Sequence, residues 1–432
     1  MIPNEKTIIQ MTAGIRHVCE NFTNRTAGSA SERGCQQYFR ELIGRYADTA
    51  DLEEFSLHPN AFLGWIKIAV ALSLLSIMLY WLSWRLGSIV LPIAGAALIT
   101  VSVLMYLLEF LLYRRFIDFL FPKAASVNLF ARRLPTGPIK RRIIFGGHAD
   151  APYEWTYSMH GKLVTLLPVM AGASLSLLFL FASDFALLLG RLSGGAAMSA
   201  AWRGIGFAQL CTIPFFAAVF FFVNWRVVTC GANDNLSGCY VAIAVLKELH
   251  DRHIRFENTE VCCLITGAEE AGLRGSLDFA KRHRKEMSQI ETVFIALDTL
   301  RECEQLQVYL RGQTGTCKNS PEAAKLLTDS AKRCGIDLRK AGLYPGATDA
   351  EAFSRHGLKA AALCGVDHHP QTYYHTRKDN WYNVDPDCLE KALAICLEAV
   401  LQFAGSEAID ENSPASPMMR TSAESRHSAD SP

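Results

Sequence analysis

The chain has 432 residues, of which 50% are hydrophobic, and its mean hydropathy of +0.13 exceeds that of most soluble proteins. The formal net charge is +1 with no basic block, which excludes nucleic acid as an expected partner. These values predict one large domain with a membrane portion. The 13 cysteines lack a repeated C-x-x-C spacing, so we expect reduced, mostly buried thiols in the cytosol and no disulfide framework.

Residues 1–60 are predicted to begin a soluble α/β domain. No apolar segment of the signal-peptide type follows the N-terminus. Helical periodicity predicts helices over residues 8–22 and 32–46, and the alternation in 52–57 predicts a strand.

Two apolar hairpins are predicted to interrupt this domain, over residues 61–113 and 161–224. Each contains two runs of about 20 residues or more, which is long enough to span a bilayer as a helix. The four runs are 61–84, 89–113, 163–189 and 205–223. The domain continues over 114–160, where strands are predicted at 127–130 and 142–147. Its main part follows over 225–405, and the Ser- and Pro-rich tail 406–432 is predicted to be disordered.

The charge distribution predicts the orientation in the membrane. Each hairpin leaves and returns on one side, so all the polar sequence lies on a single face of the bilayer. Lysine and arginine are frequent on that side, whereas the two short loops hold only Arg85, Arg191 and Arg203. The positive-inside rule therefore predicts a multi-pass protein of the cell membrane, with the domain and both termini in the cytoplasm.

Polar residues follow several predicted strands, at the sheet edge where open α/β sheets bind ligands. His148 and Asp150 end the strand 142–147, and in an extended H-x-D both side chains point to one side, so Asp150 can orient the imidazole toward a metal. Asp234 precedes a helix predicted at 239–249, where the ordinary role of an aspartate is that of an N-cap.

Glu269 and Glu270 follow an apolar strand at 261–265. Adjacent side chains point in different directions, so one carboxylate can bind a metal while the other handles a proton. Asp298 ends the strand 292–297, and His375 lies in a polar loop before the last predicted helix, 386–403. If all these residues converge, two imidazoles and three carboxylates plus one spare glutamate fit a pair of zinc ions ~3.5–4 Å apart.

The motifs resemble those of the co-catalytic di-zinc exopeptidases, metallopeptidase family twenty-eight, which includes bacterial leucyl-type aminopeptidases and is related in fold to glutaminyl cyclases. The matching segments are H-A-D at 148–150, G-A-N-D-N at 231–235, G-A-E-E at 267–270, Asp298, and Y-H-T at 374–376. The two hairpins depart from the family, as does Thr348-Asp349-Ala350 in place of Ser-Asp-His. The resemblance implies a three-layer, aminopeptidase-like α/β domain with a central mixed sheet, interrupted by four membrane spans.

The resemblance also implies roles for the residues and two Zn²⁺ ions per chain. The implied metal ligands are His148, Asp234, Glu270, Asp298 and His375. Asp234 would bridge the ions, with His148 and Asp298 completing one site and Glu270 and His375 the other. Glu269 would be the general base and Asp150 would orient His148. Tyr374 resembles a position that stabilises the oxyanion, with Tyr344 and Tyr373 as competitors.

The leading hypothesis is a membrane-bound zinc aminopeptidase that hydrolyses N-terminal peptide bonds. One alternative is a glutaminyl-cyclase-like acyltransferase, against which the intact H-x-D argues because such enzymes generally use one zinc. The other is a pseudo-enzyme membrane protein that only binds, which is disfavoured because every ligand and the base are present. We also expect the spans to lack the buried charges that an ion or substrate path requires.

Overall fold

A computed structural model describes residues 1–194, 199–343, 346–366, 373–405 and 408–410, without the side chains of 161–163 and 408–410. The helices are α1 (Glu5–Asn21), α2 (Ala30–Ile43), α3 (Ala61–Leu86), α4 (Val90–Met105), α5 (Thr156–Leu192), α6 (Ala200–Leu210), α7 (Ile213–Phe220), α8 (Ser237–Asp251), α9 (Arg274–Met287), α10 (Pro321–Arg333), α11 (Asp349–Arg355) and α12 (Pro386–Ala404). The strands are β1 (Thr49–Leu57), β2 (Ala124–Arg133), β3 (Arg141–His148), β4 (Tyr153–Trp155), β5 (Val223–Val228), β6 (Ile254–Phe256), β7 (Thr259–Thr266), β8 (Glu291–Leu300), β9 (Leu306–Gly312), β10 (Cys317–Lys318), β11 (Arg339–Gly342), β12 (Lys359–Gly365) and β13 (Ala408–Asp410).

A nine-stranded mixed sheet forms the centre of the domain, in the order β1-β2-β7-β3-β8-β12-β9-β10 with β11 beside β9. Strands β7, β3, β8 and β12 are parallel neighbours, and β2 and β9 run antiparallel to the parallel strands that they flank. The carboxyl ends of the parallel strands therefore meet at one edge. His148 at the end of β3 pairs with Thr266 at the end of β7, which places the H-x-D motif beside the glutamate turn.

Helices cover both faces of this sheet, which confirms the predicted three-layer α/β architecture. Successive residues of a strand face opposite sides. Phe145 and Ile295 pack into one core with α1, α8, α10 and α12, while Ile144 and Phe294 pack into the other with α9 and α11. All four side chains are fully buried.

Four helical segments are long and apolar enough to cross a membrane, and they coincide with the four predicted runs. They are Ala61–Leu86, Val90–Leu111, Val164–Leu192 and Ala200–Phe220. The four segments pack together around the fully buried side chains of Ile99 and Leu180. Their outer surface is apolar, with Leu175 67% and Phe207 60% exposed. Contiguous exposed surface of this kind is rare on soluble monomers and marks contact with a membrane or another protein.

The last segment differs from the single span predicted over 205–223. α6 ends at Leu210 and α7 begins at Ile213. Pro214 explains the break, because its ring clashes with the carbonyl four residues earlier, that of Leu210. The predicted span also ran into β5, which begins at Val223.

The expectation of spans without buried charges is wrong for Glu109 and Asp184. Asp184 on α5 accepts hydrogen bonds from Ser76 of α3 and Gln209 of α6, so it links three helices. Glu109 lies in a π-helical turn (Tyr106–Leu111) after α4 and accepts backbone N–H groups of residues 116 and 117 at 2.6 and 2.8 Å. Both carboxylates therefore have structural partners.

The predicted tail, 406–432, is described only at Ala408–Asp410. These residues form β13, which pairs antiparallel with β6. The expectation of disorder is wrong for these residues, because the free edge of β6 offers backbone groups with which they pair. The rest of the predicted tail lies outside the described residues.

Arg274, at the start of α9, joins the sheet domain to the first apolar hairpin. Its guanidinium is fully buried, with Nη2 3.1 Å from Asp118 Oδ1 and 3.4 Å from Glu109 Oε2. Removing one partner of a buried ion pair leaves uncompensated charge. We therefore expect Arg274→Ala to lower the free energy of unfolding by about 3–5 kcal/mol, measured by denaturant titration in detergent.

The matched control is Arg282→Ala on the same helix, whose ion pairs with Asp278 and Glu53 are partly exposed. We expect it to cost less than about 1 kcal/mol. Equal losses for the two variants would contradict a special role for Arg274.

Candidate active site

The carboxylate of Asp234 lies between two imidazoles at the carboxyl edge of the sheet. Asp234 Oδ1 is 3.2 Å from His148 Nε2, and Oδ2 is 3.0 Å from His375 Nε2. All three side chains are buried. Each carboxylate oxygen faces a different histidine, an arrangement in which one carboxylate can bridge two cations.

Asp234 takes this position because a short turn before α8 is held by Asp379. The backbone N–H and the side-chain amide of Asn233 donate to Asp379 Oδ1, both at 2.8 Å, and the N–H of Asp234 donates to Oδ2 at 3.1 Å. α8 begins at Ser237, and the N–H of Gly238 in its first turn donates to Asn235 Oδ1 at 3.1 Å and not to Asp234. The ordinary N-cap role weighed for Asp234 is thus not the one that the structure shows.

Asp150 connects the H-x-D motif to the glutamate turn. Its Oδ1 lies 3.4 Å from His148 Nδ1. The same carboxylate accepts the backbone N–H groups of Glu269 and Glu270 at 3.1 and 3.0 Å. His148 Nδ1 also lies 3.2 Å from the backbone carbonyl of Asp150, so this residue contacts both the imidazole and the glutamate turn.

The two glutamates face different histidines. Glu269 Oε2 is 3.8 Å from His148 Nε2, whereas Glu270 Oε1 is 3.5 Å from His375 Nε2. The divergence follows from their adjacent positions after β7, since neighbouring side chains point in different directions. One carboxylate can thus bind a metal beside His375 while the other remains free for a proton.

Asp298 and Tyr374 line the same cavity as these residues, which has a volume of about 320 Å³. Asp298 is 9% exposed and accepts the Thr299 hydroxyl at 2.9 Å; it lies within β8, which continues to Leu300. The Tyr374 ring lies 4.2 Å from the His375 ring. Its competitor Tyr373 donates to Glu302 at 2.8 Å and points away from the cavity. Tyr344 lies outside the described residues.

Burial and mutual repulsion dominate the electrostatics of the carboxylates. Burial, followed by the charge of Asp234, raises the pKa of Asp298 to about 8. Burial also raises the pKa of Glu269 and of Glu270, and the neighbouring carboxylates add to both rises. For Asp234, burial opposes ionisation, but the adjacent imidazoles of His148 and His375 hold its pKa below the usual range.

These residues fit a metal ion. Among the described residues, no lysine or arginine pairs with Asp234, Glu269, Glu270 or Asp298, although buried carboxylates are costly without a cation. His148, Asp234 and Glu270 offer ligand atoms that all lie within 4.8 Å of one another. Asp234 Oδ2 accepts no hydrogen bond from the described chain. Imidazole nitrogen and carboxylate oxygen form a donor set typical of zinc.

Residues 218–400 match the sequence model of Peptidase family M28. This region of the chain is therefore similar to peptidase family M28. It contains Asp234, both glutamates, Asp298 and His375, whereas the H-x-D motif precedes it. The M28 match supports zinc as the metal.

Solved structures show that the chain has the aminopeptidase-like fold. The aminopeptidase from Aneurinibacillus sp. strain AM-1 has a TM-score of 0.55 at 13% identity, over 93% of this chain and 94% of that one. The glutaminyl cyclase of Fimbriiglobus ruber has a TM-score of 0.55 at 12% identity, over 94% and 98%. A Zn-dependent exopeptidase from Parabacteroides distasonis ATCC 8503 has a TM-score of 0.52 at 12% identity, over 94% and 100%. A search of curated proteins finds no match.

The sequence did not indicate that the charged side chains of Arg25 and Glu32 are buried and bind backbone groups of the site. Arg25 donates to the carbonyls of Ala149 and Cys230 at 2.9 and 2.8 Å, so it ties the H-x-D segment to the Asp234 turn. Glu32 accepts the N–H of Ala268 at 2.8 Å, just before the glutamates, and burial raises its pKa to about 8. Both residues come from the N-terminal helical region, where no local pattern distinguishes them from surface charges.

The aromatic side chain of Trp155 was also missed. Its ring lies 4.1 Å from the His375 ring, and its backbone N–H donates to the His375 carbonyl at 2.8 Å. The segment 348–350 differs from the Ser-Asp-His pattern of the family. Its Asp349 is buried outside the cavity and accepts the Thr266 hydroxyl at 2.6 Å. The neighbouring Ala347 lines the cavity.

Asp379 offers a test of how the site is held. Asp379→Ala removes the acceptors for three N–H donors in the Asp234 turn. We expect zinc affinity to fall about 10- to 100-fold, as for other residues that orient metal ligands, measured by competition with a chelator. Asp385→Ala is the control, since Asp385 caps α12 through the N–H of Asp387. A similar fall in both variants would contradict the role given to Asp379.

Proposed function

We propose that the chain is a membrane-bound aminopeptidase that uses two zinc ions to hydrolyse the N-terminal bond of peptides. The observation that carries this proposal is the position of Asp234, with one oxygen toward His148 and the other toward His375. His148, Asp234 and Asp298 would hold one ion, and Asp234, Glu270 and His375 the other. The match of residues 218–400 to Peptidase family M28 supports the same chemistry.

The residues around the proposed zinc sites have different roles in the reaction. Zinc bound there would polarise a carbonyl and lower the pKa of water toward neutrality. Glu269 faces the cavity with its carboxylate outside both ligand sets, so it accepts a proton from the attacking water and passes it to the leaving amine. Asp150 keeps His148 oriented, and Tyr374 stands on the cavity wall where its hydroxyl can donate to a developing oxyanion.

A second candidate function is glutaminyl cyclisation. It is favoured by the likeness of the fold to the Fimbriiglobus ruber glutaminyl cyclase, which equals the likeness to the Aneurinibacillus aminopeptidase. Zinc analysis of detergent-purified protein and a panel of amino-acid amides separate the two. The aminopeptidase proposal expects close to two zinc ions per chain and release of free amino acids. One zinc per chain, with cyclisation of peptides that begin with glutamine, would support the second candidate instead.

The general base gives a sharper test. We expect Glu269→Gln to retain zinc and to lose activity by about 10²–10⁴-fold, the usual contribution of a general base. Glu270→Gln is the matched control, because it changes a proposed ligand by the same substitution and should lose zinc as well. Zinc content and kcat on the best amide of the panel are the measurements. A Glu269→Gln enzyme that loses zinc as Glu270→Gln does would reverse the two assignments.

We also propose that the four apolar segments cross the cell membrane as two hairpins, with the peptidase domain and both termini in the cytoplasm. Support comes from the connections, since the first hairpin joins β1 to β2 and the second joins β4 to β5, so both return to one domain. On the opposite side of the membrane, the only positive charges would be those of Arg85, Arg191 and Arg203 in the short loops.

This orientation can be tested with single cysteines in a Cys211→Ser background, because Cys211 is exposed. A cysteine introduced by Gly194→Cys, after α5, should react with a membrane-impermeant maleimide in intact cells. One introduced by Glu322→Cys, on the exposed surface of α10, should react only after lysis. The reverse pattern would place the peptidase domain outside the cell.

A further inference from the structure

A second cavity lies between the apolar helices, next to the active-site cavity. Its volume is about 510 Å³, within the range of small-molecule sites. Apolar side chains form most of its wall, among them Ile66, Val70, Leu177, Phe216 and Val219. We call it the inter-helix cavity.

The two cavities meet at a shared wall. Phe110, Met170 and Phe222 line both, and the active-site cavity also receives Phe62 and Leu63 from α3. The wall of the catalytic site is therefore partly made of the apolar helices. A group bound in one cavity lies directly beside the other.

The inter-helix cavity also reaches the outer surface of the helices. Leu167, which is 44% exposed, and Ala171, which is exposed, both line it on α5. An apolar chain dissolved in a bilayer could enter by this side, while the part of the molecule that reacts remains near Glu269.

The apolar lining of the inter-helix cavity favours a hydrocarbon chain over a peptide segment as its ligand. Few polar groups line the cavity: the hydroxyls of Ser73, Tyr106, Ser174 and Thr314 and the indole N–H of Trp65. The Ser174 hydroxyl donates to that of Tyr106 at 3.2 Å. A peptide segment would leave backbone N–H and C=O groups without partners in such a space, at considerable cost. A hydrocarbon chain carries no such groups and gains from every methylene that it buries.

We propose that the inter-helix cavity binds a long hydrocarbon chain carried by the substrate. The substrate class is then a peptide with a free N-terminus and an acyl or alkyl group close to the bond that is cleaved. This inference rests on the proposed aminopeptidase function and adds the part of the substrate that the membrane helices recognise.

Acylated dipeptide amides test it. The first residue is the one that the amide panel favours, and the second is lysine amide with an acetyl, octanoyl or dodecanoyl group on Nζ. At a fixed detergent concentration, kcat/KM for release of the first residue should rise at least about tenfold from acetyl to dodecanoyl, because methylenes are buried. A flat series in the unaltered protein would overturn the inference.

Filling the cavity should remove this preference. Ala69→Phe places a ring in the cavity from α3, and Ala71→Phe is its control, since Ala71 is exposed on the same helix outside the cavity. We expect Ala69→Phe to reduce the dodecanoyl-to-acetyl ratio of kcat/KM at least about fivefold, and Ala71→Phe to change it less than about twofold. The ratio cancels differences in the amount of folded enzyme and in partitioning of the substrate into micelles.

A second pair on α5 covers the case in which Ala69→Phe does not fold. Ala173→Leu fills the cavity and Ala182→Leu is exposed on the same helix. A chain-length preference that survives both cavity variants would show that the hydrocarbon binds elsewhere, with the cavity left to bilayer lipid, and would overturn the inference. Failure of the proposed function is distinct, because the acetyl peptide would then not be cleaved.

Discussion

Buried negative charge governs the construction of the site. Asp234, Glu269, Glu270 and Asp298 line one cavity, and no lysine or arginine of the described chain pairs with any of them. Such a cluster is costly in a folded protein unless a cation is bound. The surrounding structure therefore does not neutralise the carboxylates; it fixes their directions.

The orientation of these carboxylates is set by hydrogen-bonding residues that lie outside the cluster. Asp150 accepts the N–H groups of both glutamates, and Asp379 accepts those of the Asp234 turn. Arg25 binds carbonyls on the two segments that carry His148 and Asp234. Because these contacts are shared between segments, displacement of one ligand strains the others. Parallel pairing of β3 with β7 supplies the register on which the contacts depend.

The apolar hairpins contact residues of the active site directly. α5 begins directly after Trp155, whose ring lies against His375, and β5 returns the chain toward the Asp234 turn. Arg274 connects the glutamate side of the domain to Glu109 in the first hairpin. The apolar helices thus lie next to the active-site cavity, which is the physical basis for the proposed apolar group on the substrate.

The sequence by itself determined the strand ends that carry ligands, the four apolar segments and the spacing that resembles M28 peptidases, because periodicity and run length are local properties. It also predicted that Glu269 and Glu270 diverge. It could not reveal Arg25 and Glu32 as buried supports, the break before Pro214, or the roles of Glu109 and Asp184, since each depends on partners far along the chain. The wall that the inter-helix cavity shares with the active-site cavity was decided only by tertiary packing, because no local pattern shows which side chains of separate apolar helices face one space.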